Sequence, residues 1–123
     1  MIAKVFDSEY RFCLILWENE PVTSRELVKL CEEKLNWKRS TTFTVIRRLS
    51  ERGIIKSENA VVTSLVSIDQ VRMADAEEMI QSKFNGSLPL FINTFFSTQK
   101  LSENDVQDIE AMLEKYKEQN TIQ

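Results

Sequence analysis

Hydrophobic positions recur along this chain with two periods, and the switches between them mark out its elements. In DSEYRFCLILWEN, residues 7–19, Phe12, Cys13, Leu16 and Trp17 form a broad apolar stripe at helical spacing. The stripe predicts a core helix whose N-terminus Asp7 or Ser8 can cap. Pro21 bars its continuation past ENEP. In PVTSRELVKLCEEKL, Thr23 and Glu26 have the spacing of a capping box, which starts a second helix near Ser24. Leu27, Leu30, Cys31 and Leu35 then repeat on its inner face. After the short connection NWK, a third helix is predicted from about Arg39 to Arg52, with Phe43, Ile46 and Leu49 on its apolar side. Gly53 closes it as the residue that takes left-handed backbone past a helix end. Trp37 is expected under the turn between the second and third helices.

From Ile54 the period changes. Ile54, Ile55, Val61 and Val62 flank Ser57-Glu58-Asn59, which reads as a hairpin turn; a loose loop is the plainer alternative. Ser67 with Gln70 opens a further helix through about Phe84, with Val71, Ala74, Met79 and Ile80 as its less regular stripe. Asn85-Gly86-Ser87 stops it. LPLFINTFF then places Pro89 in a first helical turn, followed by Phe91, Ile92, Phe95 and Phe96. Ser102 and Asp105 begin a last helix that carries Val106, Ile109, Met112 or Leu113, and Tyr116. The expected fold is mainly α with a small β wing. Residues 1–67 form a winged helix-turn-helix DNA-binding domain, because a tight helix pair is followed directly by a hairpin. Residues 68–123 form a helical region. Its apolar positions, Leu90, Phe91, Phe95, Phe96, Ile109 and Leu113, have little to bury against except a second copy, so a homodimer is expected.

The polar side of the third helix supplies the candidate chemistry. Ser40, Thr41, Thr44, Arg47, Arg48 and Arg52 lie there with one acid, Glu51. Short hydroxyls and guanidiniums suit base edges and phosphates in the major groove of double-stranded DNA. Lys38 and Arg39 stand at the helix start, where phosphate is favoured. A solvated basic face is the bland reading. The formal net charge of −3 argues against nucleic acid until its distribution is considered. Residues 1–67 hold eleven Lys or Arg against nine Asp or Glu, while residues 68–123 hold five against ten. Between Lys34 and Lys56 the count is seven basic to one acidic, so positive field is concentrated where the third helix sits. The acidic second half disfavours association with anionic lipid.

Other classes fall away on residue type. The chain has two cysteines, Cys13 and Cys31, and no histidine. A four-ligand zinc site of the thiolate and imidazole kind cannot be assembled, nor can a Ser-His or Cys-His pair. No metal, no cofactor and no enzyme activity are expected, and both thiols read as buried and free. MIAKVFDSEY lacks the apolar run of a signal peptide, and no eighteen apolar residues are consecutive, which predicts a cytoplasmic protein without membrane insertion. A winged helix used only for protein–protein docking, its basic face against an acidic partner, is the competing reading.

The ordered set YRFCLILW, PVTSRELV, WKRST, RRLSERGII, FNGSL and KLSENDVQDIEAML resembles the BlaI/MecI penicillinase-repressor family, from about Asp7 to Lys117. The resemblance implies a repressor that dimerises through C-terminal helices and binds a pseudo-palindromic operator. It also implies that Thr41, Thr44 and Arg48 contact bases and phosphates. The C-terminal cysteine pairs of copper-responsive relatives are missing. Three departures stand out. The Gly53–Leu65 stretch is short and keeps Lys56 as its one cation, so a stubby wing with little share in DNA affinity is expected. Phe6 replaces the usual Ser before the first helix, shifting the cap to Asp7. The family is inactivated at an Asn-Phe bond by a sensor-linked protease. The aligned bond here is Thr94–Phe95, with Asn93 one residue early, which weighs against such cleavage.

Overall fold

The computed structural model of the chain describes residues 2–120. Along them the order is α1 (Asp7–Asn19), β1 (Val22–Thr23), α2 (Ser24–Leu35), α3 (Arg39–Glu51), β2 (Ile55–Glu58), β3 (Val61–Ser64), α4 (Ile68–Lys83), α5 (Leu88–Thr98) and α6 (Glu103–Asn120). The chain divides after Met79 into two units.

In the first unit, apolar faces of α1, α2 and α3 close on a small sheet. Phe12 and Leu16 from α1, Leu27 from α2, Leu49 from α3, and Ile54, Ile55 and Val62 around the strands are fully buried. Val71 of α4 completes this core. The sheet is antiparallel with order β1-β3-β2, pairing Val22 with Val62 and Ile55 with Ser64. Three helices followed by a hairpin on a short first strand make a winged helix. β1 is an addition to the expected elements. At two residues it has no periodicity of its own, and it exists by pairing with β3.

The hairpin turn also differs from expectation. Ser57 and Glu58 belong to β2, and the turn is Asn59-Ala60, with φ of 54° and 63°. Positive φ at both central residues is the turn whose twist matches paired strands. The cap of α1 is a second correction. Phe6 occupies the N-cap position, and instead of an Asp7 or Ser8 side chain, Glu9 Oε1 accepts the Phe6 N–H at 3.0 Å. A carboxylate at the third helical residue satisfies that donor and also favours the positive end of the helix.

The remaining boundaries follow local chemistry. Thr23 Oγ1 accepts the Glu26 N–H at 3.1 Å to open α2. Asn36, with φ 57°, turns the chain out of it. Gly53, with φ 75°, ends α3 with two reversed bonds: its own N–H to Ser50 O at 3.1 Å and the Ile54 N–H to Leu49 O at 3.0 Å. Ser67 and Gln70 form a complete capping box before α4.

In the second unit, Asn85 and Gly86 both adopt positive φ, and Ser87 Oγ accepts the Leu90 N–H at 3.1 Å to begin α5, with Pro89 in its first turn. Ser102 Oγ does the same for Asp105 in α6. Phe91 packs edge-on to Phe84 at 5.2 Å. Neither α5 nor α6 contains a buried residue.

Candidate nucleic-acid interface

α3 is held by one side and offers the other. Thr42, Val45, Ile46 and Leu49 are buried. At about 100° per residue these four centre one face, and the opposite crest carries Ser40, Arg47 and Thr44. Thr41 and Arg48 border the crest on one flank, Arg39 and Phe43 on the other. Lys38, Arg39, Ser40, Thr41, Arg47 and Arg48 are exposed and Thr44 is half-buried. Ser8, Trp37, Ser40, Thr41, Thr44, Val45 and Arg48 line an open groove of about 320 Å³ along the Thr41–Arg48 flank. Trp37, one of these lining residues, is stacked on Phe12 with ring centroids 6.3 Å and ring planes 4° apart. That stacking anchors the connection between α2 and α3, so the start of α3 is set by the core.

Two side chains depart from the sequence reading. Phe43, expected on the buried face, is 38% exposed. The Arg39 guanidinium lies over its ring, 5.1 Å from the centroid. Thr42 takes the buried place, where its hydroxyl meets the Cys31 thiol of α2. Arg52, expected to hold phosphate, is engaged inside the protein. It pairs through Nη2 with the Glu9 carboxylate and donates from Nη1 to Lys4 O at 2.8 Å. It also lies over the Phe6 ring. Burial pushes the Glu9 carboxyl up. The Arg52 guanidinium, the Phe6 N–H and the Arg48 charge together outweigh that and hold its pKa below the ordinary value. Arg52 therefore ties the end of α3 to the start of α1.

The wing adds little positive charge. Lys56 is the one cation between Gly53 and Leu65, and its Nζ lies 2.8 Å from Glu58 Oε2. Glu20 receives the Ser64 N–H at 2.9 Å and the Ser64 hydroxyl, which fastens the end of β3 beside α1.

The penicillinase repressor family model matches residues 6–115. The chain belongs to the penicillinase repressor family. Among curated relatives, it is 21% identical over 120 residues to the penicillinase repressor of Bacillus licheniformis, with 94% of each chain covered. It is 25% identical over 118 residues to an uncharacterized 16.5 kDa protein of Latilactobacillus sakei, covering 89% of this chain and 78% of that one. The penicillinase repressor family is one of transcriptional repressors, not an enzyme class.

The remaining candidate residues differ in burial. Cys13 and Cys31 are buried free thiols; burial pushes Cys13 up to about 12 and raises Cys31 as well, so neither is a reactive thiolate at neutral pH. Among the described residues no cluster of side chains suits a metal ion, and no helix is long and apolar enough to cross a membrane. In the second unit Leu90, Phe95, Phe96, Ile109 and Leu113 are exposed, while Phe91 is half-buried against Phe84. The Thr94–Phe95 bond lies inside α5, where Thr94 Oγ1 donates to Leu90 O at 2.8 Å. A protease could reach that bond only after the helix opens locally.

Proposed function

We propose that this chain represses transcription as a homodimer, each protomer laying α3 in the major groove of a pseudo-palindromic operator. The observation that carries the reading is the outward face of α3. It presents Ser40, Thr41, Thr44, Arg47 and Arg48 with Lys38 and Arg39 at the helix start, on a helix whose other face is buried. Thr41, Thr44 and Arg48 read bases, since hydroxyls and a bidentate guanidinium match base edges. Lys38, Arg39, Ser40 and Arg47 hold phosphates and set the register. Arg52 is removed from that set by its pairing with Glu9. The wing, short and internally neutralised at Lys56, contributes little.

Dimerisation is supported by the second unit. Leu90, Phe95, Phe96, Ile109, Leu113 and Tyr116 are each at least 42% exposed. Apolar surface of this extent seldom faces water in a monomer. Phe96, Leu101, Val106 and Ile109 line a largely apolar groove of about 490 Å³, wide enough for side chains of a second copy. The unit ending at Met79 is thus assigned to DNA, with the first half of α4 packed into its core, and residues 80–123 to self-association.

The test is selection of bound fragments from a random double-stranded DNA pool. An enriched inverted repeat with half-sites spaced by whole helical turns is expected. Enrichment of nothing, with binding insensitive to salt, would overturn the reading and favour a protein-docking winged helix.

A further inference from the structure

Thr42 and Phe43 are placed the opposite way from what packing alone would select. The smaller, polar side chain is fully buried, with only the Cys31 thiol as a weak partner for its hydroxyl, and the large aromatic one is left 38% exposed. Folding gains from the reverse order, since a fully buried phenyl ring removes more apolar surface from water and a hydroxyl is better solvated than paired to a thiol. A local arrangement that opposes stability marks a position held for another purpose.

The surroundings of Phe43 indicate what that purpose is. The ring sits on the flank of α3 formed with Arg39, beside the crest that carries Ser40, Thr44 and Arg47, and Arg39 covers one of its faces from 5.1 Å. A helix fills the major groove, so both of its flanks meet base edges or groove walls. On the Thr41–Arg48 flank the side chains are hydrogen-bonding groups. On the Phe43 flank the exposed ring has no donor or acceptor to offer. The apolar feature that base pairs display in the major groove is the thymine C5-methyl group. Arg39 over the ring, with Lys38 before the helix and Arg47 exposed along it, makes duplex DNA the occupant this flank suits by charge.

We propose that Phe43 is a specificity-determining residue that packs against a thymine C5-methyl group, with Arg39 stacked on the same ring and so pre-ordered at the helix start. This rests on the reading that α3 enters the major groove.

The test uses the full-length protein and the selected operator, with uracil replacing thymine one position at a time, symmetrically in both half-sites. Uracil keeps every hydrogen-bonding group and lacks the methyl. At one thymine position the wild-type protein is expected to lose about fourfold in affinity per half-site, the worth of one buried methyl group. Phe43→Ala should lose affinity for the thymine operator and bind the thymine and uracil forms equally, with an unchanged circular dichroism spectrum. Equal wild-type affinity for all uracil forms would overturn the proposal while leaving DNA reading by α3 intact. Preserved thymine preference in Phe43→Ala would overturn it too. Absence of any sequence-specific complex would instead overturn the groove reading on which it rests.

Discussion

Arg52→Ala separates the structural and DNA-binding roles that one arginine of α3 can have. The Glu9 side chain is 8% exposed and that of Arg52 27%, so the substitution leaves a buried carboxylate without its counter-charge. It also removes the donation to Lys4 O and a weaker one, at 3.4 Å, to Arg48 O. Breaking one side of a buried pair costs roughly 3–5 kcal/mol. Glu9 keeps the Phe6 N–H at 3.0 Å, which reduces the penalty, and a loss of about 2–4 kcal/mol is expected. The assay is urea unfolding followed by circular dichroism at pH 7. The pH dependence carries a sign. With its folded pKa held below the ordinary 4.5, Glu9 adds stability above that value, and the contribution is lost as pH falls through the folded pKa. In the variant, burial acts without the guanidinium and favours protonated Glu9, so the gap to wild type should narrow in acid. The slope of log affinity against log salt should stay unchanged, because the Arg52 charge is paired with Glu9 and not offered to phosphate. A loss below about 1 kcal/mol, together with a slope reduced by about one, would refute the reasoning.

Three further outcomes are expected. Thr42→Val replaces a fully buried hydroxyl, whose partner is the weakly accepting Cys31 thiol, with a methyl group and should leave stability within about 1 kcal/mol of wild type in the same unfolding assay; a larger loss would show that the contact to Cys31 matters to the fold. Cys13, pushed up to about 12, and Cys31, also raised, should resist a thiol-reactive disulfide reagent at pH 8 in the native protein, and both should react in denaturant. Sedimentation of the 14.4 kDa chain at micromolar concentration should give the mass of a dimer, and Phe95→Glu with Ile109→Glu should give a monomer; a monomeric wild type would contradict the assignment of the second unit.

Where structure depends on neighbouring residues, the sequence states it openly. The boxes at Thr23–Glu26 and Ser67–Gln70, the Ser102 cap and the Gly53 helix end are short-range hydrogen-bond chemistry, and each lies where its spacing puts it. What escaped the sequence reading depends on distant partners. β1 has two residues and is defined by Val62 and Val61 across the sheet. Arg52 meets Glu9 forty-three positions away, and nothing local distinguishes it from the arginines that face outward. The Phe43 placement fails for another reason. Ile46 and Leu49 fix the buried side of α3, but Phe43 lies about 110° from its centre, on a flank that hydrophobicity alone assigns inward. The hairpin turn lies one residue later than composition suggests, because Ala60 at positive φ has no compositional signal, whereas Asn59 beside it does.

Base reading by α3 is tested most directly at Arg48. Arg48 is exposed at the edge of the groove lined by Thr41 and Thr44, and its charge is also felt by Glu9, so Arg48→Ala should first be shown to unfold at a urea midpoint close to wild type. Affinities of wild type and variant are then measured by gel shift on the selected operator and on random DNA at one salt concentration. A loss of about 1–3 kcal/mol on the operator with a much smaller loss on random DNA is the expected result. Equal losses on the two DNAs would contradict base reading by this helix and leave it as a phosphate-binding surface.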